Sequence, residues 1–430
     1  MTLKLITTSD LHLGRKSSGI PENAEQSSSK HTWSNVVKLC IDENVDALIL
    51  AGDIVDRDNR YFEAIGPLQS GFEELKKAGI VVYMVAGNHD FDVLAQIAGN
   101  EKYDNVNLLG AGGIWELKKF SKGNNQIQLA GWSFPKSYIK EDPLFSFNNI
   151  NIDPNYPAIG ILHCDVYDQN SPYAPVNLNN LANKNVNAWI LGHIHKPDIL
   201  KDNNPFIFYP GSPHAFSAKE PGVHGAVLME IDNNGRINTK TIQLSPVRYE
   251  SIVVDVTNAD DEITLRDKTT MALYDNANAM VDKLENVEFL VYDVHLEGVH
   301  SKIKELDKWT ASLTDYDGKL DIGTKFLVRK VENFVKPAIE NLEELAKQPS
   351  PEGLLAETIL ALQNGNDTEF LNEIKKEWED NFKKVSGSGT YQPLQNVKNF
   401  NKIPDKDAKE YIIKECNRLL AELRMQQQES

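Results

Sequence analysis

Five short apolar runs stand out in the first half of the chain. They cover residues 3–8, 47–51, 81–85, 158–162 and 188–191. Short runs of this kind, rich in β-branched residues, predict buried central strands. Helix-length segments near Thr32–Asn44 and Tyr61–Ala78 separate the first three runs. This alternation predicts βαβ units and a parallel sheet.

A polar motif follows each predicted strand, directly in all cases but the third, where Ala86 and Gly87 intervene. The motifs are Asp10-Leu11-His12, Gly52-Asp53, Gly87-Asn88-His89-Asp90, His163 and Gly192-His193-Ile194-His195. In open α/β sheets, ligand-binding residues gather at the carboxyl ends of the strands, so we expect these motifs to converge on one site. Their carboxylate, imidazole and amide groups are the donors that hold two cations for in-line hydrolysis of a phosphodiester.

Each of these residues also has an ordinary structural interpretation. An aspartate after a strand is usually a turn residue or a helix cap, and a lone histidine is more often a hydrogen-bonded core residue than a ligand. His31, His214, His224, His295 and His300 are interpreted in that way. The ordered combination of Gly-Asn-His-Asp and Gly-His-x-His with Asp-x-His and Gly-Asp favours a metal site over coincidence.

The motif set resembles that of the calcineurin-type metallophosphoesterase superfamily. The resemblance implies an α/β fold, a four-layer αββα sandwich in which two mixed sheets lie between helical layers. It also implies a role for each motif residue: Asp10, His12 and His195 on one metal, Asn88, His163 and His193 on the other, Asp53 bridging both, His89 assisting the leaving oxygen, and Asp90 orienting that histidine.

The donor set also constrains the metal. Mixed imidazole, carboxylate and amide ligands favour manganese or ferrous iron over a thiolate zinc site. Cys164 follows His163, and its side chain should point away from that histidine on a strand. We predict two Mn²⁺ ions, with Fe²⁺ or another divalent cation left open.

A narrower resemblance is to the SbcD family of bacterial DNA repair nucleases. It is continuous over about residues 1–260, weaker over about 260–345, and unsupported beyond. The segments that carry it are 10–14, 51–56, 173–176, 191–197, 209–213, 220–222 and 224–226. It implies a manganese-dependent DNA phosphodiesterase that acts in DNA repair as an exonuclease and a single-strand endonuclease with an SbcC-like coiled-coil ATPase. Asp56 departs from some family members, which carry a histidine at this place.

Charge is an objection to a DNA substrate. The net charge is −17, and residues 1–250 carry 22 basic and 28 acidic side chains. Affinity for DNA depends on Lys and Arg that neutralise phosphates, and no such cluster marks a groove. Either a partner supplies the grip or the substrate is small. A small-molecule or nucleotide phosphodiesterase or phosphatase, and a non-catalytic DNA-end-binding scaffold, therefore remain alternatives. The sequence has no Gly-x-x-x-x-Gly-Lys-Ser/Thr loop, so an ATPase motor must come from a partner.

The length of 430 residues predicts two or three domains. We expect a nuclease domain at residues 1–247, a small α/β capping domain at 248–346 and a helical region at 347–430. Strands are predicted at 251–256 and 288–294, and helices near Asp261–Asn286 and Gly323–Ala346. The capping segment could also be only a stabilising appendage.

The last region shows amphipathic helical patterns. Ser350 and Pro351 predict a helix start, Asp367 predicts a second cap, and a final helix is expected near Asp405–Met425, with a flexible break at residues 386–389. The apolar faces must be buried, either against one another or against a coiled coil of the ATPase. A homodimer is left open.

Two further predictions concern the surroundings of the site. Residues 17–30 are rich in Ser, Gly, Pro and Asn, which predicts a mobile loop with weak evidence for nucleic-acid contact from Arg15 and Lys16. Trp132, Phe134 and Tyr138 either stack on unpaired bases or belong to the core.

The expected compartment follows from segments that the sequence lacks. No apolar run approaches 18 residues, and the three widely spaced cysteines suggest no disulfide framework. A strand begins at once, without a signal peptide. We therefore expect a cytoplasmic protein with no membrane contact.

Overall fold

The computed structural model describes most of the chain. The described residues are 2–21, 24–59, 64–99, 101–300, 302–314, 316–337, 341–366, 369–386, 409, 411–413, 415–420 and 422–423. Three predicted features lie outside the described residues: the cap at Asp367, most of the break at residues 386–389, and both ends of the final helix, at residues 405–408 and 424–425.

The strands of the first 246 residues are β1 (Thr2–Thr8), β2 (Ala47–Ala51), β3 (Val81–Val85), β4 (Val106–Leu108), β5 (Glu116–Lys122), β6 (Asn125–Trp132), β7 (Ala158–His163), β8 (Ala188–Gly192), β9 (Asp198–Lys201), β10 (Phe206–Tyr209), β11 (Gly225–Asp232) and β12 (Ile237–Gln243). The helices there are α1 (Ser29–Asp42), α2 (Ile65–Lys77), α3 (Leu94–Ala98) and α4 (Leu178–Ala182). The five predicted strands and the two predicted helices are confirmed, with shifted ends.

These strands form two six-stranded sheets. The first has the order β12-β11-β1-β2-β3-β4, and its β1 to β4 run parallel. The second has the order β5-β6-β7-β8-β10-β9, and its central strands β6, β7, β8 and β10 run parallel. Antiparallel strands lie at the edges, so both sheets are mixed as the resemblance implies.

Alternation along the strands explains how the layers pack. On β2, Ile49 faces the second sheet, where it shares a core with Ile161 and Ile190. Its neighbours Leu48 and Leu50 belong to a different core, which packs against α1 and α2. A third core covers the outer face of the second sheet and includes Leu181 of α4. Successive residues of a strand point to opposite faces, so one run supplies two cores. The predicted four-layer αββα sandwich is confirmed.

The next elements are β13 (Val247–Asp255), α5 (Glu262–Ala279), β14 (Phe289–Glu297), β15 (Val299–His300), α6 (Ile303–Thr310), β16 (Asp317–Lys319), β17 (Lys325–Asn333) and β18 (Lys336–Pro337). A four-stranded sheet has the order β13-β14-β17-β16. The two strands and the helix predicted between residues 251 and 294 are confirmed.

The helix predicted near Gly323–Ala346 is wrong. Most of that segment is the strand β17, in which Phe326 and Val328 are buried and the intervening Leu327 is half-buried. A period of two and the β-branched Val328 and Val331 favour a strand. The apolar residues of this segment also fit one face of a helix, so the helix prediction overlooked the alternation of buried and less buried positions.

The chain divides into two compact units. One contains Met1–Ile252, Leu273–Val294 and Thr314–Lys330, and the other contains Val253–Ala272, His295–Leu313 and Val331–Ser430. The domain limits at residues 247 and 346 stay predictions.

The last described elements are α7 (Leu342–Leu345), α8 (Pro351–Gln363) and α9 (Glu369–Ser386). Helix α8 starts as predicted, since the Ser350 side chain accepts a hydrogen bond from the Gly353 backbone N–H at 3.1 Å. Residues 411–413 and 415–420 are also helical. Ile359, Leu371 and Leu420 share one core, so these helices bury apolar faces against one another.

Several smaller predictions can be compared with the described residues. Trp132 and Phe134 are buried in the core of the second sheet, so stacking on bases is wrong for both, whereas Tyr138 is exposed. The predicted loop is held at Ser17, whose hydroxyl contacts His214 and the Ala215 carbonyl. All three cysteines are unpaired. Among the described residues, every helix is too short or too polar to span a lipid bilayer.

Candidate metal centre

The predicted ligands lie together at the carboxyl ends of five strands. Strands β1, β2 and β3 of the first sheet lead to Asp10, Asp53 and Asn88, while β7 and β8 of the second sheet lead to His163 and His193. The two sheets therefore contribute side chains to one cleft, as parallel strand ends require.

The backbone at these positions is strained. Asp10, His12, Asp53 and His193 have φ angles of 52°, 40°, 50° and 101°. Non-glycine residues seldom occupy this region, and such conformations persist only where the surroundings fix them. Here the His12 backbone N–H donates to the Asp53 carbonyl and the Asp10 backbone N–H donates to the Gly52 carbonyl, both at 3.0 Å. The strain is concentrated at the predicted ligands, which indicates a functional constraint.

A first cluster consists of Asp10, His12 and His195, whose ligand atoms all lie within 4.8 Å of one another. The Nε2 atoms of the two histidines are 3.1 Å apart. The Nδ1 atom of His195 lies 2.8 Å from Glu220 Oε1, so it donates to that carboxylate and leaves a lone pair on Nε2. This arrangement fits a cation between the imidazoles.

A second cluster consists of Asp10, Asp53 and His163. The Nδ1–H of His163 donates to the Ala51 carbonyl at 3.0 Å. Its Nε2 then faces two acceptors, Asn88 Oδ1 at 3.2 Å and Asp53 Oδ2 at 3.4 Å. Three electron-rich atoms that face each other in a buried place need a positive charge between them, which a proton or a cation supplies. The donor set therefore fits a second cation.

The position of Asp53 connects the two clusters. Its Oδ2 atom lies 3.4 Å from His163 Nε2 and 3.8 Å from His12 Nε2. Burial acts to raise the pKa of Asp53, but the charge and the hydrogen bond of His163 outweigh it and lower this pKa. For His163, burial acts to lower the pKa, while the charge of Asp53 and the hydrogen bond raise it to about 9. A shared, ionised carboxylate is what a bridging ligand requires.

His193 is placed differently from its predicted partners. Its backbone N–H lies 3.1 Å from both carboxylate oxygens of Asp10, and its ring centroid is 5.5 Å from that of His163. However, its Nε2 lies 3.6 Å from Asp165 Oδ2. Among the described residues, His193 is not part of the groups of mutually close ligand atoms that contain its predicted partner His163.

The Asp90 carboxylate is buried and is held by backbone amides. It accepts hydrogen bonds from the backbone N–H groups of Ile54 at 2.5 Å and Gly87 at 2.8 Å. Burial, followed by the charge of Asp53, raises the pKa of Asp90 to about 7. Asp90 thus fixes the loops after β2 and β3, and the expectation that it orients the neighbouring ring stays a prediction.

His89 lies at the mouth of the cleft. Its side chain is 33% exposed, its Nε2 is 4.0 Å from Asp53 Oδ2, and its Nδ1 is 3.8 Å from Asp56 Oδ1. Burial, more than any other influence, lowers the pKa of His89. A neutral imidazole at this position still carries one N–H that can donate to a phosphate oxygen.

Three carboxylates around the cleft were not predicted to support it. Asp56 groups with His12 and His89, Asp165 lies beside His193, and Glu220 holds His195. Asp56 and Glu220 both occur in segments that carried the family resemblance, and Asp165 follows His163 by two residues. Their roles depend on partners far away in sequence, which motif spacing does not reveal.

Two glycines are required by close approach. A Cβ on Gly87 would overlap the Asp53 side chain. A Cβ on Gly192 would overlap the Ala51 carbonyl and lie 2.7 Å from His163 Nδ1. Any side chain at these positions would displace the ligand that it meets.

Comparison with known proteins relates the site to a family. A sequence profile described as "Calcineurin-like phosphoesterase" matches residues 3–197. An uncharacterized metallophosphoesterase, YhaO of Bacillus subtilis, is 30% identical over 271 residues, or 61% of this chain and 65% of that protein.

Two more distant relatives have names that refer to nucleases or DNA repair. The SbcD component of the SbcCD nuclease of Staphylococcus epidermidis is 24% identical, with 58% of this chain and 72% of that protein covered. The DNA double-strand break repair protein Mre11 of Methanosarcina mazei is 25% identical, with 59% and 40% covered. The chain thus spans less than two thirds of the length of YhaO and of this Mre11.

Proposed function

We propose that this chain is a calcineurin-like metallophosphoesterase, a metal-dependent enzyme, and that it hydrolyses phosphodiester bonds of DNA. The observation that carries the proposal is that His12 and His195 group with Asp10, and that the Nε2 atoms of His12 and His163 face Asp53. This arrangement of acceptors supports a centre for two cations.

The proposed assignment keeps the ligand set expected from the sequence. Asp10, His12 and His195 hold one cation, Asn88, His163 and His193 hold the other, and Asp53 lies between them. We propose Mn²⁺ at both sites, with Fe²⁺ or another divalent cation as the alternative, because the set contains no thiolate. Such ions lower the pKa of a bound water towards neutrality and stabilise charge on phosphate oxygens.

His89 and Asp90 have roles that do not involve binding the cations. His89, half-exposed above Asp53, donates an N–H to the phosphate or to the leaving oxygen. Asp90 holds the loop that carries His89, because it accepts from the Gly87 and Ile54 backbone N–H groups. We therefore place His89 in contact with substrate and Asp90 in a positioning role.

A cavity next to the first motif supports an anionic polymer as substrate. Its volume is about 710 Å³, and its lining includes the basic Arg15, Lys16 and Lys30 and one acidic residue, Glu25. The Arg15 guanidinium lies 4.7 Å from the centroid of the Phe216 ring, which in turn contacts the rings of His12 and His195. Positive groups thus lie beside the ligand cluster, although the chain as a whole is acidic.

The proposal extends to partners and compartment. The distant SbcD and Mre11 relatives favour an SbcC-like coiled-coil ATPase that supplies most of the grip on DNA in double-strand break repair. The helical region at 347–430 is the proposed docking element, and a small capping domain at 248–346 adjoins it in sequence. A homodimer and a cytoplasmic location belong to the same proposal.

A nuclease assay tests this function. End-labelled duplex and single-stranded DNA are incubated with the full chain and Mn²⁺ or Mg²⁺, with and without a chelator. We expect exonucleolytic products from duplex ends and internal cuts in the single strand, both abolished by the chelator. Replacing His89 by Ala should lower kcat by about a hundredfold or more with metal retained, because a proton donor is lost. The control is His295→Ala, since His295 lies beside Glu332 and Phe334. Uncut DNA under every metal condition contradicts the proposal.

A small-molecule phosphodiesterase is the second candidate. The net charge of −17 favours it, because a small substrate needs no extended contact with phosphates. It predicts rapid hydrolysis of a chromogenic diester or a cyclic nucleotide while labelled oligonucleotides remain intact. A scaffold without catalysis predicts instead that His89→Ala changes nothing measurable.

A further inference from the structure

A series of three rings leads from the metal centre to solvent. The Tyr173 ring centroid lies 5.1 Å from that of His193, with an interplanar angle of 41°. The Tyr138 centroid lies 5.9 Å from that of Tyr173, with an angle of 36°. Tyr173 is half-buried and Tyr138 is 55% exposed. An aromatic surface therefore begins at a predicted metal ligand and ends in water.

The backbone holds the two tyrosines in place. Ile139, next to Tyr138, donates its N–H to the Pro172 carbonyl at 2.8 Å and accepts from the Ala174 N–H at 2.7 Å. The Tyr173 carbonyl accepts from the Asp165 N–H at 3.2 Å, which ties this segment to the end of β7. Ala174 has a φ of 51°, a strained value for a residue with a side chain. The backbone of the two segments that carry the rings is thus fixed by the fold.

Tyr167 lies in the same loop as Tyr173 but makes different contacts. The Tyr167 ring stacks on Tyr209 with centroids 6.1 Å apart, and its hydroxyl donates to Asp198. These contacts give Tyr167 a structural role. Tyr138 is as exposed as Tyr167, but its ring contact is with Tyr173, which leads to the metal ligand His193.

The charge of the protein indicates what such a surface would bind. Residues 1–250 carry more acidic than basic side chains, so phosphate contacts alone give weak affinity that falls with salt. Stacking of a base on an aromatic ring does not depend on phosphate charge and tolerates any base. Bases within a duplex are already stacked, so the ring would select an unpaired nucleotide.

We propose that Tyr138 and Tyr173 form a nucleobase-stacking subsite for an unpaired nucleotide next to the bond that is cut. This inference rests on the proposed DNA phosphodiesterase function and names the feature of the substrate that the site recognises. It explains how an acidic protein can hold a single strand, and it supports cleavage at frayed ends and in single strands.

The test compares two labelled single strands, one with normal nucleotides and one with abasic nucleotides around the cleavage position. The full chain is used with Mn²⁺, and the readout is the ratio of kcat/KM for the two strands. For the wild type we expect a ratio of about ten, since one stacked base contributes on this scale. Tyr138→Leu and Tyr173→Leu should reduce the ratio towards one, whereas Tyr138→Phe should retain it. Tyr156→Leu is the matched control, because Tyr156 is a partly exposed tyrosine that precedes the opposite end of β7.

The outcomes separate the two proposals. If the wild type cuts both strands with equal kcat/KM, or if both Leu variants keep the wild-type ratio, the subsite is overturned while the DNA phosphodiesterase stands. If the wild type cuts neither strand but hydrolyses a chromogenic diester, both proposals fall. Thermal denaturation checks that the variants fold, and exposed Tyr138 provides the variant with the least effect on packing.

Discussion

The two halves of the metal centre are built differently. In the first half, carboxylates face the outer nitrogens of the imidazoles: Glu220 lies 2.8 Å from His195 Nδ1 and Asp56 lies 3.5 Å from His12 Nδ1. In the second half, a backbone carbonyl, that of Ala51, holds His163 at 3.0 Å. His193 there lies 3.6 Å from Asp165, without a contact as short as that of Glu220.

This difference bears on how tightly each half binds a cation. A carboxylate that accepts from an imidazole raises the basicity of the ring and strengthens its metal bond. Burial acts to lower the pKa of His195, but the hydrogen bond to Glu220 and nearby negative charge raise it. A backbone carbonyl carries no net charge and therefore raises the basicity of the ring less. We therefore expect the first half to bind its cation more tightly than the second.

The largest expected effect comes from replacing the carboxylate that the two halves share. Asp53→Asn replaces the carboxylate that faces both clusters. Both cations should be weakened together, and kcat should fall by about a thousandfold because the centre stabilises the charge of the transition state. Metal content after gel filtration, measured by plasma mass spectrometry, checks this. Unchanged content of both metals would refute a bridging role for Asp53.

A pair of milder changes separates the halves. Glu220→Gln should lower metal affinity of the first half by about 10- to 100-fold, since it removes the charged partner of His195. Asp165→Asn should have a smaller effect and act on the second half. Titration of the metal-free protein with Mn²⁺, followed by calorimetry, resolves a tight and a weak step. Equal effects of both substitutions on both steps would contradict the asymmetry.

The smallest expected effect is on the pH dependence of stability, and it involves His214 in the loop that carries Glu220. His214 is buried there between the hydroxyls of Ser17 and Thr32, each 2.8 Å from a ring nitrogen. Burial, more than any other influence, lowers the pKa of His214 to about 3. The folded state thus favours the neutral ring. Its contribution to stability is complete above the ordinary pKa of about 6.5 and is lost as the pH falls from there towards 3.

Denaturant unfolding at a series of pH values measures this linkage. The wild type should lose stability over that range, whereas His214→Gln should start less stable and show a shallower dependence, because its side chain does not titrate. A variant that keeps the full slope would assign the acid sensitivity to other groups.

Much of the αββα sandwich was predictable because its strands are buried on both faces. Runs such as 47–51 are apolar at every position, and each leads to a ligand motif, directly in all cases but that of 81–85. The segment 325–333 was misassigned because its strand is only partly buried: the alternation is clear only over Lys325–Arg329, and exposed Lys330 falls on the same face as buried Phe326 and Val328. Weakly patterned strands fit a helical period nearly as well.

The site was predictable where residues contact the metals and not where they contact other residues. Asp10, His12 and His195 come together as the motifs indicated. Asp90 accepts from backbone amides, among them that of Ile54, 36 residues away, and motif spacing does not reveal such partners. Similarly, Glu220 meets His195 through folding of a loop, and nothing in the local sequence marks that hydrogen bond.

The central claim is that one cleft of the protein binds two cations. Anomalous diffraction from crystals of the full chain grown with Mn²⁺ measures this directly. We predict two peaks, one among Asp10, His12 and His195 and one among Asn88, His163 and His193, with Asp53 between them and the first peak more fully occupied. No peak in the cleft, or peaks bound by other residues, would contradict the account.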